Sequence, residues 1–290
     1  MKKEYIPFVD ELVELAIRED IGDGDHTSLA SIPADARGRM KLLVKEPGII
    51  AGVEIAEMVF RRLDPDARLE VLIADGTPVR VGDVVFYVSG RVRTLLQSER
   101  IILNIMQRMT GVATETARYV KLVEGTGCRI LDTRKTTPGN RVLDKMAVKI
   151  GGGENHRMGL FDMILLKDNH VDFAGGVIPA IEGVRRYMAE RGLSLPIEVE
   201  VRTLADIDLV FEAGGCVDRI MLDNFDLEKT RLAVAKIDSR CEPGKRVEIE
   251  SSGGIRYETL RDYAETGVDF ISVGALTHQI KSVDLSLKAV

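Results

Sequence analysis

PIEVEVRTLADIDLVFEAGGCVDRIML, residues 196–222, is the stretch on which the fold turns. Its first six residues form a strand candidate opened by a proline, 203–214 read as a helix, and 218–222 return to a short apolar strand. The alternation extends in both directions. Further strand candidates lie at 128–132, 163–167, 246–251 and 269–274, with helical segments at 175–191, 226–238 and 256–266. Strands alternating with helices of this length imply a parallel sheet, and the number of units favours a barrel over an open sheet, although spacing alone leaves a doubly wound arrangement open.

The first hundred residues follow another pattern. After an amphipathic helix to about Asp20 come short runs punctuated by Gly and Pro, RMKLLVKEPG, ARLEVLIADG, TPVRVGDVVFYVSG and RVRTLL, with one helix near 54–62. That is the pattern of an antiparallel sheet with a helix, an α+β module. A long helix starting near Leu95 joins the halves, and the boundary is expected near Thr110 and Gly111.

Composition narrows the class. A chain of 290 residues, 45% hydrophobic and 30% charged, can bury a substantial core in one large or two moderate domains. No stretch approaches the roughly 18 uninterrupted apolar residues of a membrane span. Glu4, Asp10, Glu11 and Glu14 interrupt what would be the core of a signal peptide, so a cytoplasmic protein is expected. Cys128, Cys216 and Cys241 are scattered and lack CxxC spacing, which suggests reduced thiols. A net charge of −6 argues against a nucleic-acid surface.

Within this acidic chain the cations gather in one place. Between Arg134 and His170 stand seven full cations against four carboxylates. Arg134 and Lys135 follow the apolar run at 128–131, and Lys167 ends the run at 163–166, so cations mark the C-terminal ends of two strands, where parallel α/β proteins bind ligands. Any one of them alone reads as a solvated surface charge. As a set, Arg134, Lys135, His156, Arg157 and Lys167 flank Gly, Pro or strand ends instead of the outer face of a helix.

Two glycine loops add to this. VEIESSGGI (247–255) and FISVGAL (270–276) are consecutive strands running into Ser252, Gly253 and Gly254, and into Gly274, with His278 one turn further on. Glycine lets backbone N–H groups approach phosphate oxygens, and a helix N-terminus adds a favourable dipole. Glu200 and Asp223 end two other strands; carboxylates there suit Mg²⁺, which prefers oxygen ligands, or equally a helix cap or a lysine partner. Glu200 is preferred to Glu198, which this reading assigns to the opposite face of its strand. His156 and His170 stand too far from a Cys or second His for zinc spacing.

DTRKTTPG (132–139), the following RVLDKxAV, GGGENHR (151–157), LLKDNH (165–170), EVEV (198–201), MLDNF (221–225), ESSGGI (250–255) and SVGALTH (272–278) occur in this order. With EDIGDGDHTS (19–28) they resemble the quinolinate phosphoribosyltransferase family over nearly the whole chain. The resemblance implies an α/β incomplete barrel of the type II phosphoribosyltransferase kind at 111–278, TIM-like, with an N-terminal α+β antiparallel-sheet sandwich domain at 1–110 that is rejoined by 279–290. It implies phosphoribosyl transfer from 5-phosphoribosyl 1-pyrophosphate to quinolinate with decarboxylation, in NAD biosynthesis, aided by Mg²⁺ at Glu200 and Asp223.

By motif match Arg134, His156 and Arg157 hold the dicarboxylate, Lys135 and Lys167 lie between it and the diphosphate, and Ser252, Gly253, Gly254, Gly274 and His278 take the phosphate. Arg100 resembles an arginine supplied by a neighbouring subunit, which implies a homodimer with shared sites and neither nucleic acid nor membrane as partner. Two other readings are a relative serving another planar acid, disfavoured by the intact DTRK and NHR motifs, and a binding protein that keeps the fold without turnover.

Overall fold

In a computed structural model of the chain, residues 3–214, 217–242 and 244–290 are described. In chain order the first elements are α1 (Ile6–Ile21), α2 (His26–Ser31), β1 (Arg37–Val44), β2 (Gly48–Ile49), α3 (Val53–Leu63), β3 (Arg68–Val71), β4 (Pro78–Val79) and β5 (Val84–Arg91). Then come α4 (Val92–Leu122), β6 (Arg129–Leu131), α5 (Arg141–Ile150), β7 (Ile164–Leu166), α6 (Asp168–Ala174), α7 (Val177–Arg191), β8 (Ile197–Val201) and α8 (Leu204–Glu212). The chain closes with β9 (Arg219–Asp223), α9 (Leu227–Arg240), β10 (Glu248–Ser252), α10 (Leu260–Ala264), β11 (Phe270–Ser272), α11 (Ala275–His278) and β12 (Leu285–Ala289). Among the described residues no helix is long and apolar enough to cross a membrane.

The chain divides into two compact units, one of residues 1–118, 135–153 and 275–290, the other of 119–134 and 154–274. In the first unit the sheet runs β12-β1-β5-β3, every pair antiparallel. Met40, Leu42 and Val44 alternate inward on β1, as one buried face requires, and Phe86 on β5 meets Phe60 of α3 edge to face with ring centroids 6.1 Å apart. The chain end returns as β12 against β1, pairing Leu42 with Leu287, as the resemblance implied.

α5 and α11 cluster with the first unit, as does α4 as far as Arg118. A Cβ on Gly151 would fall 2.4 Å from the carbonyl oxygen of Ala113, so glycine there lets the end of α5 lie on the backbone of α4. Arg108 of α4 grips Asp144 of α5 with Nε–Oδ1 and Nη2–Oδ2 distances of 2.9 and 3.0 Å.

The second unit is built on a six-stranded parallel sheet in the order β6-β11-β10-β9-β8-β7. Each strand from β7 to β11 lies beside its successor and β6 closes on β11, the cyclic order of a barrel left open between β6 and β7. A doubly wound sheet would reverse its order midway, and this one does not. All five residues of β8 are buried, as a strand covered on both faces demands. Local chemistry places the helices: Thr203 and Asp206 form a capping box on α8, Asp226 caps α9, and Gly192 ends α7 in the left-handed region at φ 62°.

Candidate active site

In the second unit Arg134 follows β6, Lys167 follows β7 beside the buried Glu200, and Arg157 precedes β7 in the chain. Arg157 is 8% exposed and its guanidinium donates to the Met163 carbonyl at 3.2 Å, which leaves donors on its fork for a ligand. Burial lowers its proton affinity, and the charge of Arg134 lowers it further, against opposing pulls from Glu198 and Asp162. Lys167, half-exposed after β7, places its Nζ 3.7 Å from Glu200 Oε2. The backbone N–H of Lys167 donates to His170 Nδ1, so that histidine caps α6.

Glu200 and Asp223 end β8 and β9, which lie side by side. Glu200 is nearly buried, accepts from the Asp168 N–H at 3.3 Å, and is pushed above the usual carboxylate range by burial and then by the charges of Asp223 and Asp168, despite Lys167. Asp223 accepts from the Asn224 side chain at 2.8 Å. Both are hard oxygen donors at adjacent strand ends, a set that fits Mg²⁺.

Asn224, which the sequence reading left without a role, locks this rim together. Among the described residues it alone, apart from glycines, has a positive φ, at 55°. Its N–H donates to the Ser252 carbonyl at 2.9 Å, and a Cβ on Gly253 (φ +87°) would fall 2.4 Å from its Oδ1, so only glycine fits there. Ser252 Oγ accepts from Ser272 Oγ at 3.0 Å, and Gly254 continues in the left-handed region at φ 65°. Gly274 follows β11, but the helix after it, α11, has four residues and supplies little of the expected dipole. Any anion held at these loops would rely on backbone N–H groups.

In the first unit Arg100 is exposed on α4 and makes no ion pair among the described residues. Lys135 is exposed and its carbonyl accepts from Thr277 Oγ1 at 2.8 Å; His278 is exposed at the end of α11.

Below the rim lies a second constellation that sequence reading missed. Glu198 and Glu200 are two residues apart, so the pleat puts both on one face of β8, and the expectation of opposite faces is corrected: they differ in depth, Glu198 being fully buried. His156 Nδ1 accepts from the Arg157 N–H at 2.7 Å, while Nε2 lies 2.9 Å from Glu198 Oε2 and 3.5 Å from Glu250 Oε2. Asp132 orients the segment, accepting from the His156 N–H at 2.9 Å and from Asn155 at 2.6 Å. Arg219 reaches Glu250 at 3.3 Å and Glu248 at 2.9 Å with its guanidinium 4.1 Å above the Phe270 ring.

Burial pushes Glu198 up to about 7 and Glu250 up to about 8, the latter raised further by the charge of Glu198, so the pair retains a proton near neutrality. Among the described residues the ligand atoms of His156, Glu198 and Glu250 lie within 4.8 Å of one another, although no such grouping shows in their sequence spacing. Arg219, 3.3 Å from Glu250, supplies positive charge there. The thiols take no part: Cys128 is buried and pushed up to about 12, Cys241 is unpaired, and Cys216 lies outside the described residues.

Residues 25–110 match the model of the quinolinate phosphoribosyl transferase N-terminal domain, and residues 112–288 that of the C-terminal domain. Quinolinate phosphoribosyltransferase [decarboxylating] 1b of Nicotiana tabacum is 43% identical over 285 residues, covering 96% of this chain and 81% of that one. The nicotinate-nucleotide pyrophosphorylase [carboxylating] of Mycobacterium leprae is 40% identical over 280 residues, covering 96% and 95%. The crystal structure of the nicotinate-nucleotide pyrophosphorylase from Francisella tularensis superposes with a TM-score of 0.86 at 36% identity, covering 98% and 96%. Matched across both domains and over nearly its whole length, the chain belongs to the quinolinate phosphoribosyltransferase family.

Proposed function

We propose that this chain transfers the phosphoribosyl group of 5-phosphoribosyl 1-pyrophosphate to the ring nitrogen of quinolinate and removes the 2-carboxylate, yielding nicotinate mononucleotide, pyrophosphate and CO₂ in NAD biosynthesis. The observation that carries it is the pair of motif arginines, exposed Arg134 and nearly buried Arg157, the second keeping donors on its fork beyond its one bond to the Met163 carbonyl. Such a pair calls for an anion with two adjacent charges, which a pyridine-2,3-dicarboxylate has, and each planar fork binds a carboxylate through parallel hydrogen bonds. His156 supports the clamp from behind, its Nδ1 held by the Arg157 N–H.

The chemistry follows as charge movement. The ring-nitrogen lone pair forms the bond to the ribose carbon as the carbon–oxygen bond to diphosphate breaks, with positive charge on the sugar and negative charge on the leaving group in between. Lys135 and Lys167 meet that negative charge, while Ser252, Gly253, Gly254, Gly274 and His278 hold the 5-phosphate. Fixing both substrates in line removes much of the entropic barrier. Glu200 and Asp223 would hold Mg²⁺, which supplies further positive charge for the diphosphate and ribose oxygens. Once coupled, the cationic ring nitrogen stabilises the carbanion left at C2 as CO₂ departs, and a proton then takes the vacated position. No covalent protein nucleophile is required.

A homodimer with shared sites accounts for two features of the lone chain: Arg100 has no ion-pair partner among the described residues, and Leu160, Phe161 and Phe173 stand 71%, 66% and 92% exposed. Cys128 and Cys241 as unpaired thiols agree with a cytoplasmic enzyme. A steady-state assay with quinolinate, phosphoribosyl pyrophosphate and Mg²⁺ tests the reaction: CO₂ and pyrophosphate should appear one for one, and absence of either product overturns it. Mixing Arg100→Ala with Arg157→Ala chains tests the shared site, since exchange should restore part of the activity.

A further inference from the structure

The RVLDK motif at 141–145 has no part in the reaction described above, yet its aspartate is fully buried and fully engaged. Asp144 accepts two hydrogen bonds from Arg108 and a third, at 2.9 Å, from the Asn140 side chain. Arg108 Nη2 also donates to the Thr277 carbonyl at 2.9 Å. The fully buried Thr277 in turn donates its hydroxyl to the Lys135 carbonyl at 2.8 Å. An unbroken chain of polar contacts thus runs from α5 through α4 and α11 to the backbone of Lys135. A buried hydroxyl must find an acceptor, and here the acceptor is the carbonyl of Lys135, while the Arg108 bond to the Thr277 carbonyl fixes the backbone that carries that hydroxyl.

We propose that Thr277, fixed by Arg108 and Asp144, is a positioning residue for Lys135, setting the backbone from which that lysine reaches the diphosphate of phosphoribosyl pyrophosphate. The inference rests on the reaction proposed above. It also links two elements that the sequence reading treated separately: Thr277 lies three residues after Gly274 of the phosphate loop, and Lys135 directly follows Arg134 of the dicarboxylate clamp.

Valine replaces threonine with nearly the same shape and no hydroxyl, so the test is Thr277→Val beside Thr277→Ser in the full-length enzyme. Calorimetry should show phosphoribosyl pyrophosphate bound about 3- to 10-fold more weakly by the valine variant, the usual effect of one lost hydrogen bond, and within about twofold of wild type by the serine variant. In a Lys135→Met background the valine substitution should add less than about twofold, because its effect passes through that lysine. An equal loss in both backgrounds, or a serine variant as weak as the valine one, overturns the inference. Should the valine chain fail to fold, Thr277→Ala against Thr277→Ser reads the same hydroxyl. A wild type that turns over normally while all these variants bind like it refutes the positioning role alone; an inactive wild type refutes the assigned reaction.

Discussion

Glu198 and Glu200 stand two residues apart on one face of β8, and they belong to different chemistry. In the barrel interior Glu198 joins Glu250, His156 and Arg219 in a cluster of fully or nearly buried charged groups. At the rim Glu200, with Asp223 on the next strand, lies 3.7 Å from Lys167. Depth along one strand separates a polar cluster buried from solvent from carboxylates that end their strands beside an exposed lysine. The lesson concerns function: a ligand can reach the charges at the rim, while those in the interior act on the fold.

The largest effect on stability should come from opening the interior. Glu250→Ala removes a buried partner of both Arg219 and His156, leaving Arg219 only Glu248, and the loss of such buried polar contacts should cost about 1–3 kcal/mol, read as the midpoint of denaturant unfolding. Glu250→Gln should cost less and change the pH profile. Because the folded state holds the Glu250 proton up to about 8 and an ordinary carboxyl releases it near 4.5, stability is fully present below that lower value and is lost as pH rises toward 8. The slope is at most about 1.4 kcal/mol per pH unit for one proton. A glutamine variant whose unfolding keeps the wild-type pH slope would sever the cluster from that proton.

At the rim Arg157→Ala should weaken quinolinate binding by about 2–5 kcal/mol while phosphoribosyl pyrophosphate still binds. Near wild-type affinity for quinolinate in calorimetry would dissolve the distinction between rim and core. Glu200→Ala and Asp223→Ala should each lower turnover about tenfold, roughly 1.4 kcal/mol, and raise the Mg²⁺ needed for half-maximal rate. An unchanged Mg²⁺ dependence in both would return them to capping and ion pairing.

Much of this was legible in the chain. The parallel strands are short, apolar and bounded by turn residues, so their order along the sequence foretold the sheet, and the cations of DTRK, NHR and LLKD were visible as an excess in an acidic protein. The interior was not, because Glu198, Glu250, Arg219 and His156 come from separate segments and meet only once the strands pair. Applying the two-residue pleat to EVEV would have put Glu198 beside Glu200. The left-handed Asn224 was hidden for another reason: nothing in MLDNF marks a positive φ except the asparagine itself, which tolerates it more readily than most residues. The attachment of α5 to the first unit depends on a close approach at Gly151 that no spacing rule encodes.

The claim that the rim reads two carboxylates is tested most directly by comparing quinolinate with nicotinate, which lacks one of them, in calorimetric titrations of the wild-type protein. If Arg134 and Arg157 each engage a carboxylate, losing one leaves a guanidinium uncompensated at a cost of about 2 kcal/mol or more, so nicotinate should bind at least about 30-fold more weakly. Equal affinities would show that the paired arginines do not recognise the dicarboxylate.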